Sequence, residues 1–327
     1  MSIRWGILST AKIGKTQVIP AIQRSANGSV EAIASRGEKA KQVAEELRIP
    51  KAYTSYEALL QDPDMDAIYI PLPNGMHKEW VIQAAEHGKH VLCEKPAALD
   101  SKELEEMLKA CDQHNVRFME AFMYQFHPQH EKVKELIKDG EIGKVTLMRA
   151  KFSFLLQDKT NIRLDARLGG GALYDVGCYG IHSITTILED QPVSVSASAT
   201  FTDGVDTTLT GILSFSDGKL ANFDCSFDTY PRCGYEVVGS KGSIEVLNAY
   251  RPDLNPKGEG IIKVHKDTGE VEEYHVEGDQ YRLQVEHFAD SILEQREPVY
   301  GNERVRSHFA VLDACYESAR TGKVIKL

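Results

Sequence analysis

The chain has 327 residues, 42% hydrophobic and 26% charged, enough for two domains with cores of their own. Its 38 basic residues against 48 acidic ones give a net charge of −10, which argues against nucleic acid or an anionic membrane surface as a partner. No stretch approaches the roughly 20 apolar residues of a membrane span. Arg4 leads into "WGIL" with no signal-peptide core, and the six cysteines (Cys93, Cys111, Cys178, Cys225, Cys233, Cys315) form no Cys-x-x-Cys, as expected of free thiols in a reducing cytoplasm.

Up to about residue 120 the pattern alternates. "IRWGILS" reads as a strand, 12–25 as a helix, "SVEAIAS" as a strand and "EKAKQVAEEL" as a helix of strong formers. "DAIYIPLP" is a strand ending in a proline-rich turn, "HKEWVIQAAEHG" a helix closed by Gly88, and "KHVLCEKP" a strand. "SKELEEMLKACDQHN" reads as a helix opened by a capping box at Ser101, and "VRFME" as a further strand. Strands alternating with helices imply right-handed crossovers and a parallel sheet covered on both faces.

After Phe126 the rhythm changes. The spacing predicts one helix over 127–143, a strand over 144–156, and a glycine-rich loop opening a helix over 169–190. Seven strand-like runs follow between 193 and 276, separated by turns such as "SDGK" and "SKGS", then two closing helices over 280–295 and 302–321. The fold class read from this pattern is an α/β Rossmann domain with a parallel sheet, followed by an α+β domain with a large, mostly antiparallel open sheet. The boundary falls at 122/123: a dinucleotide-binding domain over 1–122 and a substrate-binding and oligomerisation domain over 123–327. One face of the open sheet needs a partner, so a homodimer or homotetramer through that sheet is expected.

The stretch "WGILSTAKIGK" follows a strand and opens a helix, where a dinucleotide-binding protein carries Gly-x-Gly-x-x-Gly. Here those places read Ser9, Ala11 and Gly14, with Gly6 three residues before the first. The requirement is close approach of backbone amides to a pyrophosphate at a helix N-terminus. Ser9, Thr10, Ala11, Lys12 and Ile13 are the candidate contacts, with Ser9 and Thr10 offering hydroxyls; a plain strand-to-helix turn is the alternative. At the end of the second strand an NAD site would place a carboxylate on the ribose hydroxyls. This chain has Ser35 and Arg36 there, with Lys39 nearby, which suits the 2′-phosphate of NADP better than NAD.

Glu94, Lys95 and Pro96 leave the carboxyl end of a parallel strand, the edge at which such sheets bind ligands. A lysine there can hydrogen-bond a substrate hydroxyl and the nicotinamide ribose, with Glu94 steadying the ammonium. From the loop "PLPNGMH", Leu72, Asn74 and His77 are candidate cofactor contacts, although Pro73-Asn74-Gly75 is a good turn by itself. In "GGGALYDVGCYGIH" the glycines allow close backbone approach to a ligand. Asp175 and Tyr179, four apart, share a helix face, with His182 three further on. A phenol is a weak base unless a cation lies nearby, and Lys95 is the cation read for it. His127-x-x-His130 is half a metal site at most, so no metal is expected, and no nucleophile motif is present.

Taken in order, "WGILSTAKIG", "ASR", "PNGMH", "CEKP", "EAFMYQFHP", "GGGALYDVGCY" and "VLDACYESARTGKVIKL" resemble the glucose–fructose oxidoreductase / inositol dehydrogenase (Gfo/Idh/MocA) family along the whole chain. The likeness is greatest to its NADP-using branch of dimeric dihydrodiol dehydrogenase, anhydrofructose reductase and sugar oxidoreductases. The resemblance implies hydride transfer between nicotinamide and a carbinol carbon of a sugar, sugar-derived carbonyl or vicinal diol. It implies catalytic roles for Lys95, Asp175, which orients substrate, and Tyr179, which carries the proton, and a cis Lys95–Pro96 bond. The inositol branch has His where Tyr179 stands, and relatives often have Arg at Gln125. A non-catalytic NADP-binding regulator and an NAD-dependent polyol or inositol dehydrogenase are the rival readings.

Overall fold

The computed structural model describes residues 2–327. It forms two compact units. One contains the chain up to Met123 together with Gln280–Arg306; the other contains Tyr124–Asp279 with Ser307–Leu327. A cut at 122/123 along the chain therefore differs from the grouping by contacts at Met123 and in the segment Gln280–Arg306, both of which pack within the first unit.

The first unit is built on β1 (Ile3–Leu8), β2 (Gly28–Ala34), β3 (Lys51–Tyr53), β4 (Ala67–Ile70), β5 (His90–Cys93) and β6 (Phe118–Glu120), all parallel, in the order β3-β2-β1-β4-β5-β6. Every residue of β4, "AIYI", is buried, as expected of a strand covered by helices on both faces. The order reverses between β1 and β4, so the carboxyl ends of those strands open the crevice of a doubly wound sheet. Gly6 lies inside β1, where a Cβ would come within 2.6 Å of Leu59 and 2.9 Å of Ile68; it is a packing glycine, not part of the turn. The helix Ser101–Gln113 is capped one residue earlier than Ser101: the Asp100 carboxylate accepts from Glu103 N at 2.7 Å, and the Glu103 carboxylate accepts from Leu99 N at 3.2 Å. The helix Gln280–Leu293 places Phe288 against Trp5, ring centroids 5.8 Å apart. Asn27 Nδ2 secures it by donating to Asp290 Oδ1 at 2.6 Å and Glu286 O at 2.9 Å.

The second unit holds a nine-stranded sheet. Its strands are β7 (Val145–Leu155), β8 (Ser194–Thr202), β9 (Val205–Ser214), β10 (Leu220–Ser226), β11 (Asp228–Gly239), β12 (Gly242–Leu247), β13 (Gly260–Lys266), β14 (Val271–Val276) and β15 (Ile325–Lys326), in the order β14-β13-β12-β11-β7-β10-β9-β8-β15. Every pairing is antiparallel except β7 with β10. The expected fold class is borne out in both sheets. The helix Cys178–Leu188 lies on one face of β7 and β10. Glycines let it sit that close: a Cβ on Gly177 would stand 2.7 Å from Cys225 Sγ, and one on Gly180 3.0 Å from Phe223 Cβ. On the opposite face Ile212 and Leu220 are exposed. The helix expected over 127–143 spans Gln129–Lys138, and Gly140 beyond it takes a positive φ of 79°.

Candidate active site

In the first unit, β1 ends at Leu8 and the chain turns at Ser9, whose φ of 102° lies where glycine is usual. Three hydrogen bonds hold this conformation. Ser9 N donates to Ala34 O at 2.8 Å, Ser9 Oγ donates to Pro71 O at 3.1 Å, and the same oxygen accepts from Ala11 N at 3.2 Å. The Ser9 hydroxyl thus holds the turn. The chain is helical from Lys12, and the first helical amide with a carbonyl partner is Lys15 N, on Ala11 O at 3.1 Å. The amides of the first turn are the open donors of a helix start, which is what a pyrophosphate requires. A methyl on Gly14 would make only ordinary 3.6 Å contacts with Pro71 and Tyr69, so that place does not demand glycine sterically.

At the end of β2, Ser35 is buried, and its hydroxyl has no hydrogen-bond partner among the described residues. Arg36 beside it is exposed, as is Lys39 at the start of the helix Lys39–Leu47. An orphaned hydroxyl beside a guanidinium, with no carboxylate at either position, fits a phosphorylated ribose.

The carboxyl ends of β4, β5 and β6 converge on Lys95. Pro71 and Leu72 are buried after β4, and Asn74 opens a single turn, Asn74–Met76. His77 is fully buried, with Nε2 2.8 Å from Leu72 O and Nδ1 2.9 Å from Pro96 O. Each ring nitrogen of His77 lies against a backbone carbonyl, so the residue bridges the β4 loop and the β5 loop, its neutral ring donating to one of the two. Burial pushes its pKa down while the two carbonyls oppose that shift. The Lys95–Pro96 bond is cis. Glu94 Oε1 accepts from the buried Tyr69 hydroxyl at 2.5 Å. Glu120, the last residue of β6, is fully buried, and its Oε1 accepts from Ala97 N at 2.8 Å. Burial pushes the Glu120 carboxyl up to about 8, against the opposing pull of the Ala97 amide, Tyr300 and the Lys95 charge. The turn carrying Lys95 is therefore fixed on its far side at the Pro96 carbonyl and the Ala97 amide. Sequence reasoning missed Glu120; the signal was a single acid closing the apolar run "VRFME".

In the second unit the glycine loop is shaped by its own chain. A Cβ on Gly170 would lie 2.5 Å from Arg163 O, and one on Gly171, at φ 135°, 2.3 Å from Asp206 Oδ1. These two glycines admit backbone and carboxylate of the same chain. Asp206 anchors the following helix, its Oδ2 accepting from Leu173 N at 2.7 Å and its Oδ1 from the Tyr316 hydroxyl at 2.8 Å. Burial raises the Asp206 carboxyl to about 6. The helix begins with a π-turn, Leu173–Gly177, before the regular Cys178–Leu188. Asp175 Oδ2 accepts from Arg163 Nε at 2.6 Å, and the Asp175 charge holds the Arg163 pKa above its ordinary value. Tyr179 is 5% exposed and sits among Tyr250, Phe152 and Tyr124, with ring centroids 5.3, 5.4 and 5.6 Å away. Behind it the Tyr124 hydroxyl meets His182 Nδ1 at 2.5 Å. Arg163, Asp206 and this aromatic frame were not read from sequence: Arg163 lies in a polar stretch with no periodicity, and the frame residues come from distant strands.

His130 Nδ1 bonds the Tyr235 hydroxyl at 2.8 Å. Among the described residues no group of three His, Cys, Asp or Glu side chains is placed to hold a metal, and no helix is long and apolar enough to cross a membrane.

Residues 3–122 match the oxidoreductase family with NAD-binding Rossmann fold, and residues 130–245 match the GFO/IDH/MocA C-terminal domain. The chain is 42% identical over 327 residues to the NADP-dependent D-xylose 1-dehydrogenase 2 of Haloferax volcanii, covering 99% of each. It is 36% identical over 254 residues to a trans-1,2-dihydrobenzene-1,2-diol dehydrogenase of Xenopus laevis, covering 75% of this chain and 76% of that one. Among solved structures, a 3-ketoreductase from Actinomadura kijaniata, in complex with NADP and TDP-benzene, superposes with a TM-score of 0.92 at 28% identity, covering 97% of this chain and 98% of the other.

Proposed function

Since this chain belongs to the Gfo/Idh/MocA oxidoreductase family, we propose that it is an NADP-dependent dehydrogenase or reductase acting on a sugar, a sugar-derived carbonyl or a vicinal diol. The observation that carries the reading is the presence in one chain of Lys95 at the carboxyl edge of the Rossmann sheet, of Asp175 bonded to Arg163, and of Tyr179 four residues further along the same helical run. The functional division follows the chain, with cofactor binding in 1–122 and substrate binding in 123–327.

NADP, when bound, supplies the carbon that gives or takes the hydride. The chain's own residues do the rest. The open amides of Thr10, Lys12 and Ile13 hold the pyrophosphate, and Ser35 and Arg36, helped by Lys39, hold the 2′-phosphate. Leu72, Asn74 and Glu94 complete the cofactor wall, with His77 as its internal tie. Lys95 hydrogen-bonds and polarises the substrate oxygen. In the second unit Tyr179 is the group that gives or takes the proton, and Asp175 orients a substrate hydroxyl.

The relatives support the cofactor and substrate class: one is an NADP-dependent xylose dehydrogenase, one a diol dehydrogenase, and one a ketoreductase solved with NADP. Arg36 in place of a carboxylate disfavours an NAD-dependent polyol dehydrogenase. The exposed Ile212 and Leu220 support a homodimer or homotetramer formed through the outer face of the nine-stranded sheet. Six free cysteines, five of them buried, support work in the cytoplasm. The test is a turnover screen with NADP and NADPH over aldoses, dicarbonyls and trans-diols, read at the nicotinamide absorbance. Turnover on one class establishes the enzyme; tight NADPH binding with no turnover on any class would favour a regulator.

A further inference from the structure

Arg163 is the best-placed group in the second unit to which the reaction as described gives no role. Its side chain is 41% exposed and that of Asp175 16% exposed, and Arg163 Nε donates to Asp175 Oδ2 at 2.6 Å. Guanidinium carries five N–H donors and carboxylate about four acceptor positions. Besides the bond to Asp175, the guanidinium makes one long contact, Nη1 to Asn161 Oδ1 at 3.4 Å, and lies 6.0 Å from the Phe154 ring centre. Nη2 makes no hydrogen bond among the described residues. The carbonyl of Arg163 is tied to Gly171 N at 2.9 Å, which anchors the arginine's backbone to the loop that opens the Asp175 helix. Acceptor and donor thus stand side by side on a fixed frame, with formal charges that cancel.

Resting on the hydride-transfer reading above, we propose that Arg163 and Asp175 act as one charge-neutral pair that reads two adjacent oxygens of a neutral polyhydroxylated substrate. Asp175 accepts from one hydroxyl and Arg163 donates to its neighbour. A vicinal diol matches this pattern, since each hydroxyl is both donor and acceptor. A substrate with a carboxylate close to that diol does not match: it finds a cation already neutralised and a second carboxylate beside it. The pair therefore selects neutral sugars over sugar acids.

The test is calorimetric binding of three pyranoses to the NADP-loaded full chain. D-xylose is the bare ring, D-glucose adds a neutral CH2OH at C5, and D-glucuronate carries a carboxylate at that carbon. The wild type should bind D-glucose at least about tenfold more tightly than D-glucuronate. Asp175→Asn leaves the arginine unopposed and should shrink that preference about tenfold. Arg163→Gln should weaken both neutral sugars about tenfold, and Arg163→Lys, which keeps the charge and loses the fork, should not restore them. Equal wild-type affinity for D-glucose and D-glucuronate would overturn the proposal. So would unchanged neutral-sugar affinity in Arg163→Gln, or no binding of any of the three. Hydride transfer, recorded separately on the same protein, tests the reading beneath it. The predicted binding pattern without turnover on any carbonyl or diol would support the pair and sink that reading. Turnover on a diol without sugar binding would do the reverse.

Discussion

Lys95 emerges from the carboxyl end of β5 into a turn that the protein fixes at two successive backbone groups, Pro96 O by His77 and Ala97 N by Glu120. Lys95→Ala and Tyr179→Phe should each lower turnover by a factor on the order of a hundred or more, with NADPH affinity retained in Tyr179→Phe. Fluorescence titration and initial rates check both halves of that statement. Arg36→Ala should weaken NADPH by about ten- to a hundredfold and NADH much less; equal losses would contradict its assignment to the 2′-phosphate. The candidate residues could be named from sequence because strand ends and helix faces announce themselves there. Their supports could not. Ser9 bonds a carbonyl 62 residues away, and Glu120 an amide 23 residues away; no spacing rule reaches that far.

Elements that are long and periodic read well from sequence, as in the buried β4 and the alternating strands of the second unit. The misses were local. Asp100 caps its helix in place of Ser101 because a carboxylate one residue earlier reaches Glu103 N. The strand β15 has only two residues and no period to detect; pairing with β8 alone makes it a strand. Phe288→Ala empties a fully buried position against Trp5 and should cost about 3–5 kcal/mol, measured by urea unfolding of the first unit's transition. Glu120 at the end of β6 has a carboxyl raised from its ordinary 4.5 to about 8. Between those values the unfolded chain releases a proton that the folded chain keeps, so this residue lowers stability as pH rises through that window. Glu120→Gln keeps an oxygen for Ala97 N and removes the titration. Its stability relative to wild type should therefore rise steadily from pH 5 to pH 8. A pH-independent difference would mean that Glu120 is ionised in the fold throughout.

For the whole molecule, the two-sheet architecture followed from sequence because the rhythm of elements changes once, near residue 126. The return of Gln280–Arg306 to the first unit was invisible there, since it depends on which surface a helix covers and not on its own pattern. The outer face of the second unit's sheet carries Ile212, 51% exposed, and Leu220, 46% exposed. If copies of the chain meet on this face, Ile212→Arg should convert a dimer or tetramer to monomer in light scattering with circular dichroism unchanged; a monomeric wild type would contradict it. The central claim is that the protein moves a hydride between NADPH and a polyhydroxylated substrate under the control of Lys95 and Tyr179. The most direct measurement is transfer of deuterium from C4-labelled NADPH into product, followed by mass spectrometry in wild type, Lys95→Ala and Tyr179→Phe. Label at a carbinol carbon of a sugar or diol in the wild type, with the rate down on the order of a hundredfold in both variants, is the predicted result. Bound NADPH that never delivers label to any carbonyl offered, or variants that deliver it at wild-type rate, would contradict the claim.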